Sequence, residues 1–283
     1  MDFDRYEGHR PSGKRDRDGM TNTAKIQSIY RYPVKGLSPE PLTRTELAVR
    51  QTVSCDRLYA IENGRSGFDP AQPAYFPKQR FLMLMRNARL AELHTAFDDA
   101  THTLTVRYEN REAARGDLRT AAGRAAIEGF FAEFCGPELR GPPKVLHAEG
   151  HSFSDVARKV ISIINLATLA ELENAAGAPV HPLRFRGNLY VESWPPWHEF
   201  NLMNSEIAIG PQAKLKIVKR IVRCAATEVD PDTGIRDLPV PRMLMKMYGH
   251  ADCGVYGEVI MAGAIAVGDN VRVPELGSPK LPF

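Results

Sequence analysis

Residues 215–234 read LKIVKRIVRCAATEVDPDTG, an apolar stretch that runs directly into a turn. The apolar positions are Leu215, Ile217, Val218, Ile221 and Val222. Such a run predicts a β-strand, and the Asp-Pro-Asp-x-Gly pattern that follows it predicts a tight turn. Cys224 stands at the junction, immediately after Arg223.

A cysteine at this junction has two interpretations. A neighbouring cation favours the thiolate, which is the nucleophilic and metal-binding form of the side chain. Because side chains alternate along a strand, Arg223 can act on Cys224 only if the strand ends there. The alternative is a small core thiol, since free cysteine packs as a small hydrophobe.

The rest of the chain predicts short strands separated by turns. Strands are expected in residues 25–65, 81–85, 104–108, 207–209, 215–222, 255–261 and 271–273. A helical stripe over residues 121–134 indicates one core helix, and Asn165 is expected to cap a second helix that ends at Gly177. So few helices argue against a parallel α/β sheet. The expected fold class is mainly β with α (α+β), with two β-barrel-like domains and a few packed helices.

Five short motifs follow one another in the second half of the chain. They are RFRGNLYV (184–191), IAIG (207–210), RC with VDPDTG (223–224 and 229–234), GVYG (254–257) and GAIAVGDNV (263–271). In order and approximate spacing they resemble the MOSC domain, the molybdenum-cofactor-binding barrel of the amidoxime-reducing and cofactor-sulfurase families. Upstream, IYRYPVKG (29–36) and CDRLYAI (55–61) resemble the N-terminal β-barrel domain that precedes it.

This resemblance covers about residues 25–273 and implies a division of the chain. A disordered tail is expected over residues 1–22 and an N-terminal MOSC-type β-barrel domain over residues 23–150. A MOSC domain is expected over residues 151–275, followed by a C-terminal tail over residues 276–283. The boundary falls in the Gly- and Pro-containing loop of residues 141–154.

The resemblance also implies a set of site residues. Cys224 matches the protein ligand of molybdenum, and Tyr256 matches a tyrosine near the metal, which makes both candidate catalytic residues. The positions expected to contact the molybdenum cofactor are Lys35, Gly36, Arg57, Arg186, Asn188 and Arg223. A thiolate suits a soft metal, and lysine and arginine can bind a terminal phosphate as a point charge and as a planar fork respectively.

The function implied is that of a molybdenum-dependent oxidoreductase that reduces N-hydroxylated compounds such as amidoximes and hydroxylamines. Some bacterial relatives carry a fused iron–sulfur domain with four clustered cysteines. The cysteines here, at positions 55, 135, 224 and 253, are not clustered. Electrons are therefore expected from a separate ferredoxin- or cytochrome-type partner.

Two alternatives stay open. The first is a carrier or sulfuration module that holds the molybdenum cofactor, or persulfide sulfur, on Cys224. Pyridoxal phosphate is associated with the family only through MOSC domains fused to cysteine desulfurases, and no pyridoxal-phosphate domain is expected here. The second alternative is a degenerate barrel without catalytic activity.

Composition excludes several other classes. The 283 residues carry a formal net charge of +3, which gives no reason to expect nucleic acid as a partner. No apolar stretch is long enough to span a bilayer, so no membrane contact is expected. Cysteines without CxxC pairs, and without a secretory leader, indicate reduced thiols in the cytoplasm.

Two further features have open interpretations. Residues 194–199, WPPWHE, would line a substrate mouth or simply pack against the barrel. Cys253 stands where relatives usually have an aromatic residue. It is expected to be a small packing substitute, with a redox thiol as the alternative.

Overall fold

The computed structural model describes residues 23–273, and the tails expected over residues 1–22 and 276–283 lie outside the described residues. The strands are β1 (Thr23–Arg31), β2 (Glu40–Leu42), β3 (Arg44–Leu47), β4 (Ala60–Ile61), β5 (His94–Asp98), β6 (Thr103–Tyr108), β7 (Arg111–Asp117), β8 (Val145–Leu146), β9 (Ile161–Asn165), β10 (Leu189–Glu192), β11 (Glu206–Ile209), β12 (Ala213–Val222), β13 (Asp252–Met261), β14 (Gly263–Ala266) and β15 (Asn270–Arg272). The helices are α1 (Ala121–Cys135), α2 (Leu166–Ala176) and α3 (Val240–Tyr248). The expected fold class, mainly β with a few packed helices, is confirmed.

Seven strands close into a barrel in the order β10-β9-β13-β12-β11-β15-β1, because β1 also pairs with β10. β9 and β10 run parallel with α2 between them in the chain, and the other neighbouring pairs are antiparallel. Alternating apolar side chains, among them Leu215 and Ile217 of β12, fill the barrel. In β1 a bulge between Ile26 and Ser28 lets both Ile26 and Ile29 point inward although they are three residues apart.

The barrel takes its first strand from the start of the described chain. β1 pairs with β15 on one side and with β10 on the other, and β3 pairs with β14. Residues from well before the expected boundary near residue 150 therefore complete the barrel of the C-terminal part. The boundary itself stays a prediction.

The chain between β3 and β9 forms a smaller unit with its own core. It contains the three-stranded sheet β5-β6-β7, the two-stranded pair β4 and β8, and α1. Buried side chains of Tyr59, Leu104, Ile127 and Phe131 are part of this core. This unit covers one side of the barrel and supplies residues to the site described below.

Most of the expected elements are present. Asn165 accepts a hydrogen bond from the Ala167 amide at 3.1 Å and caps α2, which ends at Gly177 in the left-handed conformation. The strand expected over residues 81–85 was wrong. Leu82 and Met83 are both buried, so the segment lacks alternation, and it turns where the Asn87 amide donates to the Met83 carbonyl.

Within residues 23–273, α1 is the longest helix at 15 residues, and none of the helices there is both long and apolar enough to cross a membrane. A transmembrane helix needs about 20 predominantly apolar residues.

Gly254 in β13 is a position at which only glycine fits. Its φ is +77°, and a Cβ atom there would lie 2.6 Å from the Ile163 carbonyl oxygen on the neighbouring strand β9. We expect Gly254→Ala to lower the free energy of unfolding by about 2–4 kcal/mol, from backbone strain and overpacking together. Urea unfolding with linear extrapolation measures the change.

Gly268→Ala is the matched control for this prediction. Gly268 also has a positive φ of +90°, but a Cβ atom there would meet nothing within 4 Å. Gly268→Ala should therefore lower the free energy of unfolding by only about 1 kcal/mol, the cost of placing alanine at a positive φ. Equal losses at the two positions would show that the contact with β9 contributes nothing.

Candidate functional site

A cavity of about 240 Å³ lies where the smaller unit faces the barrel. All the site residues expected from the sequence line it: Lys35, Gly36, Arg57, Arg186, Asn188, Arg223, Cys224 and Tyr256. Lys35 and Arg57 lie before the expected boundary, and Cys224 and Tyr256 lie in the barrel part. The cavity is therefore assembled from both parts of the chain.

Cys224 lies just beyond the end of β12, which finishes at Val222. Its carbonyl accepts from the Thr227 amide at 3.0 Å, and this bond belongs to a short helical turn over residues 225–228. Cys224 thus lies between the end of the strand and the helical turn, at the cavity wall, and it is partly exposed. Of the two interpretations of the sequence, this geometry favours the accessible thiol over the core thiol.

The cation beside the thiol comes from elsewhere in the chain. The strand ends before Arg223, but the Arg223 guanidinium donates to the carbonyls of Cys253, at 2.7 Å, and Phe185, at 2.8 Å. Instead the Nζ atom of Lys78 lies 3.1 Å from the Cys224 Sγ atom. Lys78 was not anticipated from the sequence, because it belongs to no motif and lies 146 residues from Cys224.

Asp155 links the two lysines of the cavity. It forms an ion pair with the buried Lys35, whose Nζ atom also donates to the Phe153 carbonyl at 2.9 Å, and its second oxygen lies 3.5 Å from the Lys78 Nζ atom. Burial alone would raise the pKa of Asp155, but the two ammonium groups outweigh burial and hold that pKa below its ordinary value. Asp155 is thus ionised at neutral pH. Its position in a polar loop gave no sequence signal beyond its charge.

Two arginines share one aromatic ring in the cavity wall. The guanidinium carbons of Arg57 and Arg186 lie 4.8 Å and 4.2 Å from the centroid of the Tyr32 ring. Arg57 is also paired with Asp56. Both arginines have left-handed backbones, with φ values of 53° and 49°, a strained conformation that is found preferentially at functional sites.

Arg186 is unusual in its lack of an acidic partner. Its Nη2 atom donates to the Leu37 carbonyl at 2.8 Å, and among residues 23–273 no carboxylate forms an ion pair with its guanidinium, although Asp155 and Asp56 attract it from farther away. Burial lowers the pKa of Arg186, which reflects the cost of a desolvated cation. An anion bound in the cavity would offset that cost.

The other expected residues contribute in different ways. The buried Asn188 side chain accepts from the Ser162 hydroxyl at 2.7 Å and donates to the Tyr30 carbonyl at 3.1 Å, so much of its hydrogen-bonding capacity is used within the barrel. Gly36 has a φ of +85°, and a Cβ atom there would lie 2.8 Å from the Leu82 carbonyl oxygen. Tyr256 lies on β13 at the cavity wall, and burial raises its pKa.

Residues 194–199 and Cys253 lie outside the cavity lining. Trp194 and Glu199 are 2% and 0% exposed, and the Glu199 carboxylate accepts from Asn165 and Thr168 at 2.9 Å and 3.0 Å. The segment packs against the barrel, as the structural interpretation of it predicted. Cys253 is fully buried in an apolar cluster, and burial raises its pKa to about 12, which agrees with a packing role.

The donor set of the cavity fits the molybdenum cofactor that the sequence resemblance implies. One accessible thiol, Cys224, offers a soft ligand, and Lys35, Arg57, Lys78 and Arg186 are among the cations that line the same cavity. Within residues 23–273, only Asp56 and Asp155 form ion pairs with these four side chains. The Arg186 guanidinium, which forms no ion pair with a carboxylate of residues 23–273, is the strongest indication that an anionic group completes the site.

Comparisons with known proteins agree with this geometry. The MOSC domain profile matches residues 148–272, and the MOSC N-terminal beta barrel domain profile matches residues 23–134. Mitochondrial amidoxime-reducing component 1 of Homo sapiens is 30% identical over 298 residues, which cover 92% of this chain and 83% of the human protein. Mitochondrial amidoxime reducing component 2 of Rattus norvegicus is 32% identical over 123 residues, or 39% of this chain and 36% of the rat protein.

Among solved structures, the YUAD protein from Bacillus subtilis is similar over 89% of this chain and 95% of that chain, with a TM-score of 0.43 and 14% identity. A likeness of that size adds nothing to the assignment, which rests on the two profiles and the human relative. The chain belongs to the family of MOSC-domain proteins with an N-terminal MOSC β-barrel domain, the family that includes the amidoxime-reducing components.

Proposed function

We propose that this protein is a molybdenum-cofactor-dependent oxidoreductase that reduces N-hydroxylated compounds such as amidoximes and hydroxylamines. Family membership supports the coarser part of this statement, a function related to the molybdenum cofactor. The observation that carries the proposal is the meeting of one accessible thiol, Cys224, with several lysines and arginines in a single cavity. A thiol with a purely structural role needs no cations beside it, and solvated lysines and arginines need no thiol.

Each residue has a defined task in this proposal. Cys224 would be the protein ligand of the metal, and Lys78 would orient its sulfur and offset its negative charge. Arg57 and Arg186, with Lys35, would bind the terminal phosphate of the cofactor. When bound, the cofactor supplies the two-electron chemistry that removes the oxygen of the N–O group.

Tyr256 would act on the substrate side. Since burial raises its pKa, the hydroxyl stays protonated at neutral pH and can donate a hydrogen bond to an oxygen atom in the cavity. The cavity would thus hold the oxygen-bearing end of a small molecule against the wall formed by β13.

Partners and compartment are part of the same proposal. The substrate would be a small N-hydroxylated molecule, and neither nucleic acid nor a membrane would take part. All four cysteines are free thiols, which supports a reducing compartment such as the cytoplasm.

Metal analysis and turnover together test the function. Freshly purified protein should contain molybdenum and should convert benzamidoxime to benzamidine when reduced viologen supplies electrons. Protein without molybdenum but with a persulfide on Cys224 would favour a sulfur carrier instead. Protein with neither would favour a degenerate barrel.

The source of electrons gives a separate prediction. Because the four cysteines are dispersed and no Gly-rich dinucleotide-binding motif is present in the sequence, NADH or NADPH alone should not drive turnover. Addition of a ferredoxin- or cytochrome-type protein with its reductase should restore NAD(P)H-dependent reduction. The measurement is NADH oxidation at 340 nm. Direct NADH oxidation by the pure protein would refute the need for a separate electron donor.

A further inference from the structure

Tyr32 occupies a position that none of the roles assigned above includes. Its side chain is fully buried, at 0% exposure, and its hydroxyl donates to the Gly187 carbonyl at 3.3 Å. The guanidinium carbons of Arg57 and Arg186 both lie within 5 Å of the centroid of its ring. These arginines lie 129 residues apart in the chain. One ring therefore joins cations from the smaller unit and from the barrel.

The backbone around the ring is fixed by further contacts. The Tyr32 amide donates to Asp56 Oδ1 at 2.8 Å, and the other oxygen of Asp56 pairs with Arg57. Arg57 also donates to the Arg186 carbonyl at 3.2 Å. Tyr32, Asp56 and the two arginines thus form one connected cluster. The carboxylate of this cluster, that of Asp56, forms its ion pair with Arg57.

The electrostatics of the cluster assign the ring a specific task. The face of an aromatic ring attracts a cation, and the attraction is larger where water is excluded. Two guanidinium groups at one cavity repel each other, and Arg186 has no acidic partner among the described residues. Asp155 and Asp56 attract Arg186 only from beyond ion-pair distance, so the Tyr32 ring supplies the close favourable interaction that a paired carboxylate would otherwise supply.

An aromatic partner also preserves the donors that a carboxylate would occupy. A guanidinium that lies over a ring keeps the N–H groups of its planar edge, and that edge binds an oxyanion in a bidentate manner. Among the residues that the structure describes, Arg186 donates through Nη2 alone, to the Leu37 carbonyl. Most of its donor edge is thus left for a ligand.

We propose that Tyr32 is a positioning residue whose ring holds Arg186, beside Arg57, with its donor edge presented to a phosphate-type anion in the cavity. The proposal deepens the proposed function, because the anion there is the terminal phosphate of the cofactor. The ring itself can be tested with inorganic pyrophosphate and requires no cofactor.

The experiment uses the full chain, produced in a host that does not make the pterin cofactor, and measures pyrophosphate binding by calorimetry at low salt. Tyr32→Phe keeps the ring and should bind within about twofold of the wild type, since the face of the ring is retained. Replacement of Tyr32 by trifluorophenylalanine keeps the ring shape and weakens its negative face, and it should reduce affinity about tenfold. Tyr32→Leu should have an effect at least as large.

Two controls separate this proposal from the proposed function. Arg186→Gln should weaken pyrophosphate binding, whereas Arg89→Gln should not, because Arg89 lies over Phe134 at 4.5 Å outside the cavity lining. If Arg186→Gln binds like the wild type, both the phosphate site and the role of Tyr32 are refuted. If Arg186→Gln weakens binding but the trifluorophenylalanine variant does not, only the role of Tyr32 is refuted.

The fluorinated variant also distinguishes a direct loss of affinity from a loss caused by unfolding. Tyr32→Leu removes a buried ring and can lose affinity simply because the protein unfolds, which thermal unfolding would reveal. The trifluorophenylalanine variant retains the packing of Tyr32→Phe, so a difference in affinity between those two variants reports on the electrostatics of the ring.

Discussion

Cys224→Ser should fold normally and lose at least about a hundredfold in the rate of benzamidoxime reduction. This loss is larger than the one that typically follows replacement of a residue that hydrogen-bonds to a metal ligand. Serine is a harder donor than cysteine and much less acidic, so it cannot replace a thiolate on a soft metal. The partly exposed position of Cys224 lets water satisfy the new hydroxyl, so stability should change little. Viologen-driven turnover, molybdenum content and the thiolate-to-metal absorption band measure the effect.

Cys253→Ser is the matched control. Cys253 is fully buried among apolar side chains, so its replacement should cost about 1–3 kcal/mol of stability for a poorly satisfied hydroxyl. Turnover per folded molecule and the absorption band should both be retained. Full activity in Cys224→Ser would refute the molybdoenzyme proposal, and loss of turnover in folded Cys253→Ser would give that thiol a redox role.

Charge reversal in the arginine pair should remove the cofactor. Arg186→Glu or Arg57→Glu would place a carboxylate where a phosphate is expected, and replaces a bidentate attraction by repulsion. The molybdenum content of the purified protein should fall below about a tenth of the wild-type value. Arg186→Glu is the cleaner variant, because Arg186 has no acidic partner among the described residues that its removal would leave unpaired.

Arg89→Glu is the control for these variants. Arg89 also contacts an aromatic ring, that of Phe134, but it is partly exposed and does not line the cavity. Its reversal should leave molybdenum content and turnover unchanged. Normal molybdenum content in folded Arg186→Glu would exclude Arg186 from the cofactor site.

The residues predicted to form the candidate site lie in short motifs with a fixed order. All eight residues chosen from those motifs line one cavity. The same motifs could not show what each side chain contacts. Arg223 is adjacent to Cys224 in the chain and follows the end of β12, yet its guanidinium donates to the Cys253 and Phe185 carbonyls.

The residues that were missed are those without a local signal. Lys78 begins a short helical turn and Asp155 lies in a loop, and the contacts of Lys78 with Cys224 and of Asp155 with Lys35 span 146 and 120 residues. Residues 81–85 were misassigned for a related reason. Their burial comes from packing on several sides at a turn, and not from the single buried face that a strand pattern assumes.

The sequence by itself determined the fold class, the approximate positions of many strands, the position of Cys224 at the end of one of them, and the family. Each of these depends on local periodicity, turn residues or motif order, which are properties of neighbouring residues. The tertiary structure alone decided that β1 closes the barrel, that Lys78 contacts the thiol and that Tyr32 joins two arginines. Those contacts exist only after the barrel has closed and the smaller unit has packed against it, because they join side chains from segments far apart in the chain.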